Sequence, residues 1–468
     1  MSEFSERLER EIKNIKKPLR YLAEASGLQL DYISKMSRGK RLPQDEERII
    51  RLLGAMECMP GTRRELLQLY RQEKMGKTQW ACIKELIGII EWGTPCHPVK
   101  TEAVPSLYEE AAAVTALEGK SEVYHFLKEL LLGCKEEQYL IWTAGINPGE
   151  GSEELFRLFH EMPGKRIEYI FPMRQNRDEI DTLENLKLIR LLKSMLFHDN
   201  FFPYYYYLVS MGEEQISPFP NWFITDGIAF GVNDSMQRGI VLKDKKQICI
   251  LRDVFRKKLG MCKPLVVHSE LTEYVHDVNS MMNAGYVIRN YYIEQSPCLL
   301  HLIPTNILKD QLIGEEEEKI KLLEAFQQRI SHMKYEEMVH IFSMEGVRVL
   351  IEEGRITGYP DSLYNPLPIH LRKWLLKRYY QYMRTSPNSC ICVKEDCIKL
   401  PRYLSIVSSS NVDNGIAFWS SSENGLKYYV IKESGISQKP YEFCQYLESG
   451  EMTYSTEETL NMMERICF

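Results

Sequence analysis

Two stretches decide the reading of this chain: Leu22-Ala23-Glu24-Ala25-Ser26-Gly27-Leu28 and, four residues later, Ile33-Ser34-Lys35-Met36-Ser37-Arg38-Gly39-Lys40-Arg41-Leu42-Pro43. In the first, Leu22 and Ala23 continue a short apolar stripe from Leu19, and Gly27 ends it as a C-terminal glycine does. In the second, Ile33 and Met36 face inward from a helix over Leu30 to Ser37, and Gly39 closes it. The turn Gly27-Leu28-Gln29 joins the two. Upstream, Phe4, Leu8, Ile12 and Ile15 recur on one helical face, and Pro18 stands where a new helix can begin, because a first-turn residue needs no N–H. Downstream, Pro43 precedes a helical pattern in Ile49, Ile50, Leu52 and Leu53, and Leu66, Leu67 and Leu69 predict a fifth helix ending near Tyr70. Five short helices around a tight turn describe an all-α helix-turn-helix unit.

Charge separates this head from the rest. Residues 1–77 hold 17 Lys/Arg and 12 Asp/Glu, a net of +5; the whole chain holds 59 and 65, so 42 and 53 remain, a net of −11. A basic head on an acidic body is the distribution expected when the head alone approaches a polyanion.

The quoted residues resemble the lambda-repressor-like (XRE) DNA-binding domain, whose pattern runs Leu-Ala, Gly four residues later, Ile-Ser, and a Gly-Lys-Arg-x-Pro ending. The resemblance covers about 55 to 65 residues and departs from the pattern at Ser37, where the family usually places Glu, and at Asp31, an acid in the helix that should face DNA. It implies that double-stranded DNA is the partner and that the third helix, over Leu30 to Ser37, lies in the major groove, with Gln29, Leu30, Asp31 and Lys35 facing the bases. Gln29 suits adenine, Lys35 guanine, and Leu30 a thymine methyl. Asp31 favours its helix N-terminus, with cytosine readout as the alternative. Arg38, Lys40 and Arg41, just past the helix, are placed for phosphates. The plainer alternative for Lys35, Arg38, Lys40 and Arg41 is an ordinary solvated face.

The body reads differently. Trp80, Ile83, Leu86 and Ile87 predict a helix that extends or buttresses the head, and Gly93-Thr94-Pro95-Cys96-His97-Pro98 is a proline-punctuated break. From about 121, helices (Val123–Leu132, Glu153–Phe159, Leu186–Leu196) alternate with strands (Gln138–Thr143, Ile167–Phe171, Tyr204–Val209), the mark of α/β layers. Tyr204 to Tyr207 read as sheet packing rather than a pocket lining. Gly227-Ile228-Ala229-Phe230 recurs as Gly415-Ile416-Ala417-Phe418. Ile240–Asp244 is echoed by Tyr429–Glu433, and Phe255 and Leu259 by Phe443 and Leu447. Offsets of 188 or 189 predict two copies of one unit. The organisation expected is therefore a helix-turn-helix domain over 1–72, a helical linker over 73–120, a first α/β lobe over 121–310 and a second, similar lobe with connecting helices over 311–468. An acidic helix from Glu315 to Ile330 lies between the lobes, with Glu315 to Glu318 as a solvated N-terminus.

Chemistry is harder to find. The chain lacks the phosphate-binding, dinucleotide-binding and nucleophile-elbow glycine motifs. The two-lobed body is weakly similar to the phospholipase D-like superfamily, whose active members carry His-x-Lys-x-x-x-x-Asp. Here the nearest match, His332-Met333-Lys334, has Val339 at the acid position and reads as helix. Cys96-His97 has no partner pair at ligand spacing, and Cys390 and Cys392, with Cys397 following, share one face of a strand as buried thiols. No metal or cofactor is expected. Nor is a membrane, since no stretch approaches ~18 apolar residues. The start of the chain carries no secretory pattern and the twelve cysteines are scattered, which together predict reduced thiols in a cytoplasm. The function expected is a non-enzymatic, sequence-specific DNA-binding transcriptional regulator. It reads a half-site as a homodimer, and its body senses or dimerises, with room for a small-molecule or peptide effector. The competing readings are a nucleic-acid-processing or hydrolytic enzyme with a DNA-targeting head, and a helix-turn-helix module that binds protein.

Overall fold

Six helices lead the chain in the computed structural model: α1 (Glu3–Ile15), α2 (Leu19–Ser26), α3 (Leu30–Ser37), α4 (Glu46–Ala55), α5 (Pro60–Met75) and α6 (Lys77–Ile90). The structure describes residues 2–91, 114–133, 138–143, 158, 165–175, 177–193, 195–196, 200–208, 218–269, 288–333, 336–357, 361, 363–386, 388–402, 404–410, 415–422 and 425–467. Local chemistry sets the helix ends. Ser2 and Ser5 form a reciprocal capping box on α1. Gly27 and Gly39 take left-handed conformations after α2 and α3, Asp45 accepts the Arg48 N–H at the start of α4, and Pro60 opens α5. Phe4, Leu8, Leu22, Ile33, Met36, Ile49, Leu52, Leu53, Leu66 and Tyr70 form one buried cluster. The expected five helices are all present. The fifth runs past Tyr70 to Met75 because Arg71 goes on into a buried ion pair.

Helix α6 leaves that cluster. Trp80, Ile83, Leu86, Ile89 and Ile90 are buried in the core of the body, against α8 (Glu179–Leu192). Packing thus assigns to the body a helix that sequence placed in a linker; its apolar face is too wide to leave in solvent. The proline-punctuated break at 93–98, with Cys96 and His97, lies outside the described residues.

The body holds two mixed sheets. The first has eight strands in the order β1-β7-β6-β5-β2-β3-β4-β8 and the second seven in the order β12-β11-β10-β13-β14-β15-β9. In the first, β2 (Gln138–Thr143), β3 (Arg166–Met173) and β4 (Phe201–Tyr207) are parallel. β5 (Asn221–Ile224), β6 (Ala229–Val232) and β7 (Arg238–Leu242) continue antiparallel from β2. The second sheet repeats this arrangement. β10 (Ile288–Ile293), β11 (Glu336–Phe342) and β12 (Ser389–Cys392) are parallel, and β13 (Leu404–Ser409), β14 (Ile416–Ser422) and β15 (Gly425–Ile431) continue antiparallel from β10. β1 (Val114–Glu118) and β8 (Lys263–Pro264) flank the first sheet, and β9 (Val266–Ser269) flanks the second. The sheets therefore divide the chain before 121 and near 265 rather than at 121 and 310. The sequence repeat marked only the last two strands of each antiparallel run and the helix that follows them, and β10 carries no marker.

One hydrophobic core joins the facing sides of both sheets through α6, α7 (Lys120–Gly133), α8 and α14 (Ser434–Glu448). Across the outer face of the first sheet runs α9 (Lys245–Leu259). The outer face of the second sheet carries α11 (Glu316–Met333), α12 (Met344–Glu353), α13 (Ile369–Thr385) and α15 (Thr456–Cys467), and α10 (Thr305–Gln311) packs beside α11. Asp244 and Glu433 cap the helices that follow β7 and β15. The four-residue identity behind the repeat is nonetheless out of structural register. Phe230 faces away from α9, whereas Phe418 lies under α14. A one-residue slip exchanges the faces of a strand.

Most other predicted elements appear. Tyr205 is buried on the inner face of β4 while Tyr204 and Tyr206 pack on the outer, as sheet-filling aromatics do. The acidic stretch starts α11 as expected. His332 and Met333 end that helix while Val339 lies in β11, so the near-motif is split between two elements. The helix expected over 153–159 falls outside the described residues except for Leu158. Among the described residues no helix is long and apolar enough to cross a membrane.

Candidate nucleic-acid interface

Ile33 and Met36 are buried, fixing α3 against α1 and α2 by one face. Helical geometry then turns Gln29, Leu30, Asp31 and Lys35 outward, and all four are exposed. Leu30 keeps 47% of its surface, an unusual exposure for leucine beside a packed core. Gln29 is the N-cap with extended backbone, and its side chain makes no capping bond. The free N–H groups of the first turn add positive potential at this end of the helix.

At the other end, the Gly39 N–H donates to the Met36 carbonyl at 3.1 Å and the Lys40 N–H to the Lys35 carbonyl at 2.8 Å, with Gly39 at φ 69°. This Schellman closure fixes where the chain leaves the helix. Arg38, Lys40 and Arg41 are exposed there and make no ion pair among the described residues. The Arg41 guanidinium rests over the Tyr32 ring at 4.8 Å, and Arg48 lies over the same ring at 5.6 Å. Arg48 also donates from Nη1 to the Tyr32 hydroxyl at 3.4 Å, which holds its pKa above the usual value. Tyr32 thus gathers two cations beside α3. Sequence reading missed Tyr32 and Arg48; an aromatic one position before the buried Ile33, followed by arginines, was the available signal.

Asp31 pairs with Lys35 at 2.7 Å, one turn apart on the exposed face. Such an exposed i,i+4 pair contributes only ~0.3–0.5 kcal/mol. A base contact worth ~1–3 kcal/mol would therefore open it, and Lys35 is not locked away from DNA.

The joint to the body is built from α5. Arg71 donates from Nε and Nη2 to Glu46 at 2.8 and 2.6 Å, both side chains being buried, and from Nη2 to Cys397 Sγ at 3.5 Å. Burial alone would lower the Arg71 pKa, but the Glu46 carboxylate raises it above its ordinary value. Lys74 pairs with Glu451, which also accepts from the Tyr446 hydroxyl at 2.5 Å.

In the body, burial holds two histidines and two cysteines neutral. His340 on β11 lies 6.0 Å, ring to ring, from His301 and 3.1 Å from the Tyr379 hydroxyl. Burial pulls the two imidazoles down to about 3 for His340 and about 4 for His301. Cys390 and Cys392 are fully buried, and desolvation pushes both thiols up to about 12. Among the described residues no three His, Cys, Asp or Glu side chains are grouped to hold a metal ion. A small apolar hollow lies under α10 and α11, lined by residues such as Leu308, Leu312, Phe326 and Tyr364.

No family model matches the chain, and a comparison with curated proteins finds no match. Three solved structures show distant likenesses. TrmBL2, an archaeal chromatin protein whose structure shows a novel mode of DNA binding, is 12% identical over 56% of this chain and 99% of its own, with a TM-score of 0.23. A phosphatidylserine synthase from Haemophilus influenzae Rd KW20 is 10% identical over 75% of this chain and 92% of its own, at a TM-score of 0.23. A yeast tyrosyl-DNA phosphodiesterase is 10% identical over 69% and 89%, at 0.20. TM-scores this low carry no argument about this chain's fold or activity.

Proposed function

We propose that the chain is a lambda-repressor-like, sequence-specific DNA-binding transcriptional regulator in the cytoplasm. One observation carries the proposal: α3 is packed by one face, leaving Gln29, Leu30, Asp31 and Lys35 outward along it and Arg38, Lys40 and Arg41 exposed at its end with no ion pair among the described residues. A helix so presented fits the major groove, with side chains near its N-terminus on base edges and flanking cations on phosphates. The fixed Gly39 turn supports the phosphate assignment, because cations on a defined turn meet the backbone in one register.

In this reading the body is a sensing or dimerisation module of two similar lobes without catalysis of its own, and the shared strand order of the two sheets supports that duplication. A homodimer places two heads on half-sites about one helical turn apart. The test is sequencing of genomic fragments captured by the full chain and by a Gln29→Ala/Lys35→Ala variant. The wild type should enrich a short motif, and the variant should lose discrimination by ~1–3 kcal/mol per bidentate contact removed. A wild-type profile without any enriched motif would overturn the proposal.

A further inference from the structure

We propose that the outward face of α13 is a second docking surface for duplex DNA, engaging the phosphate backbone away from the head; this rests on the DNA-binding reading above. The helix, Ile369–Thr385, buries Leu371, Leu375, Leu376, Tyr379, Tyr380 and Met383. Its opposite side carries Lys373, Trp374, Lys377, Arg378, Gln381 and Arg384, all within about half the helix circumference at 100° per residue.

Two features make the face unusual. No Asp or Glu occurs among its 17 residues, although acids outnumber bases 53 to 42 beyond residue 77. Lys373, Arg378 and Arg384 are exposed and make no ion pair among the described residues. Arg372 is excluded from this set, because it donates to the carbonyls of Leu367, Ile351 and Glu352 and serves the fold. The Arg378 guanidinium sits over the half-exposed Trp374 ring at 5.2 Å, and Arg384 donates to the Tyr380 hydroxyl at 3.1 Å. The first contact orients a cation without an acid, whereas the second links Arg384 through the Tyr380 hydroxyl, which donates to Glu464 at 3.1 Å, without a direct ion pair among the described residues.

Charge complementarity names the occupant. From Lys373 to Arg384 the helix rises about 16 Å, and a duplex presents one phosphate per ~1.7 Å of axis, so the stripe passes a dense row of anions. An anionic membrane is the weaker match. Exposed apolar groups on this helix are confined to its first half, at Ile369 and Trp374, while the cations continue to its end. A membrane-surface helix instead carries a continuous apolar face toward the lipid.

The experiment uses the full chain and a random-sequence 60-base-pair duplex, with affinity followed against salt. Lys373→Ala/Arg378→Ala/Arg384→Ala should lower the log–log salt slope by up to ~2.7, about 0.9 per lost phosphate contact. Lys373→Glu/Arg378→Glu should weaken binding further, and it repeats the test should the triple variant unfold. Vesicles of 70% phosphatidylcholine and 30% phosphatidylserine form the second arm. An unchanged slope in both α13 variants overturns the proposal, and vesicle binding lost in those variants assigns the face to lipid instead. If an Arg38→Ala/Lys40→Ala/Arg41→Ala chain loses slope while the α13 variants do not, only this proposal fails. Absence of any wild-type DNA binding would sink both readings.

Discussion

Replacing Arg38, Lys40 and Arg41 together with Ala tests the head directly. The three side chains are exposed and outside the buried cluster, so the substitutions should leave folding intact, surface changes of this kind shifting stability by roughly 0.5 kcal/mol or less. Each phosphate contact adds ~0.9 to the slope of log affinity against log salt, so three contribute ~2.7 per head. Over a fourfold change in salt, from about 50 to 200 mM, that slope corresponds to a factor of about 40. For each head bound, the wild type should lose about 40-fold more affinity across this range than the variant. Arg41 brings a complication that sharpens the expectation. Its stack on Tyr32 already orients the guanidinium, so Arg41→Ala alone should cost at least as much as Lys40→Ala. The assay is fluorescence anisotropy of a labelled duplex at five salt concentrations. A variant whose salt slope matches the wild type would refute the phosphate role of this turn.

Other consequences follow from the same geometry. Asp31→Asn removes an anion from the DNA-facing side and releases Lys35 from its pair; affinity for all duplexes should rise several-fold, with a steeper salt slope, and a fall would instead assign Asp31 to base readout. Arg71→Ala strands the buried Glu46 carboxylate and should cost ~3–5 kcal/mol, seen as a lower urea midpoint, while adding Glu46→Gln should recover much of the loss. Glu294, buried with its carboxylate accepting from Ser405 at 2.5 Å, is pushed up to about 7 by desolvation. Its unfolded value is near 4.5, so the native state holds the proton more tightly. Stability from this group is therefore complete below pH 4.5 and declines as pH rises toward 7, by about 3 kcal/mol. Glu294→Gln should then raise stability at pH 8 and flatten that part of the profile in urea titrations; an unaltered profile would contradict the burial argument.

How much of this was written in the sequence depends on the range of the interaction. The head was legible because its signals are local: Gly27 and Gly39 need positive φ, and Ile33 and Met36 declare their inward face within one turn. The strands of the body were equally legible one at a time, since Tyr139 and Ile141 alternate with Leu140 and Trp142 across β2. Their partnership was not. Pairing of β10 with β13, more than a hundred residues apart, leaves no mark on either segment. The repeat showed that one arrangement recurs, yet its clearest identity was aligned one residue off, because Phe230 and Phe418 answer to different faces. Arg71 was invisible for a related reason. A buried arginine differs from a solvated one only in what surrounds it, and Glu46, Trp80 and Cys397 come from three separate parts of the chain.

Those contacts bear on how a body could govern a head. If α5 pivoted at Gly76, where φ is 94°, the head would swing and Lys74 would part from Glu451. Glu451 keeps only 11% of its side chain exposed and already serves the Tyr446 hydroxyl, whereas Lys74 keeps 35%. Charged hydrogen bonds contribute ~1.5–3 kcal/mol, and screening at the more exposed lysine brings the pair to roughly 1 kcal/mol. A double-mutant cycle on Lys74→Met and Glu451→Gln, read by chemical denaturation, should return a coupling near that figure. The same cycle read by DNA affinity decides the route of regulation. Coupling in stability without coupling in affinity means that heads move with their bodies as single pieces, so an effector would act on the spacing between protomers. Equal coupling in both means that the head is released from its own body before it binds, and the fixed joint described here would be the inactive state.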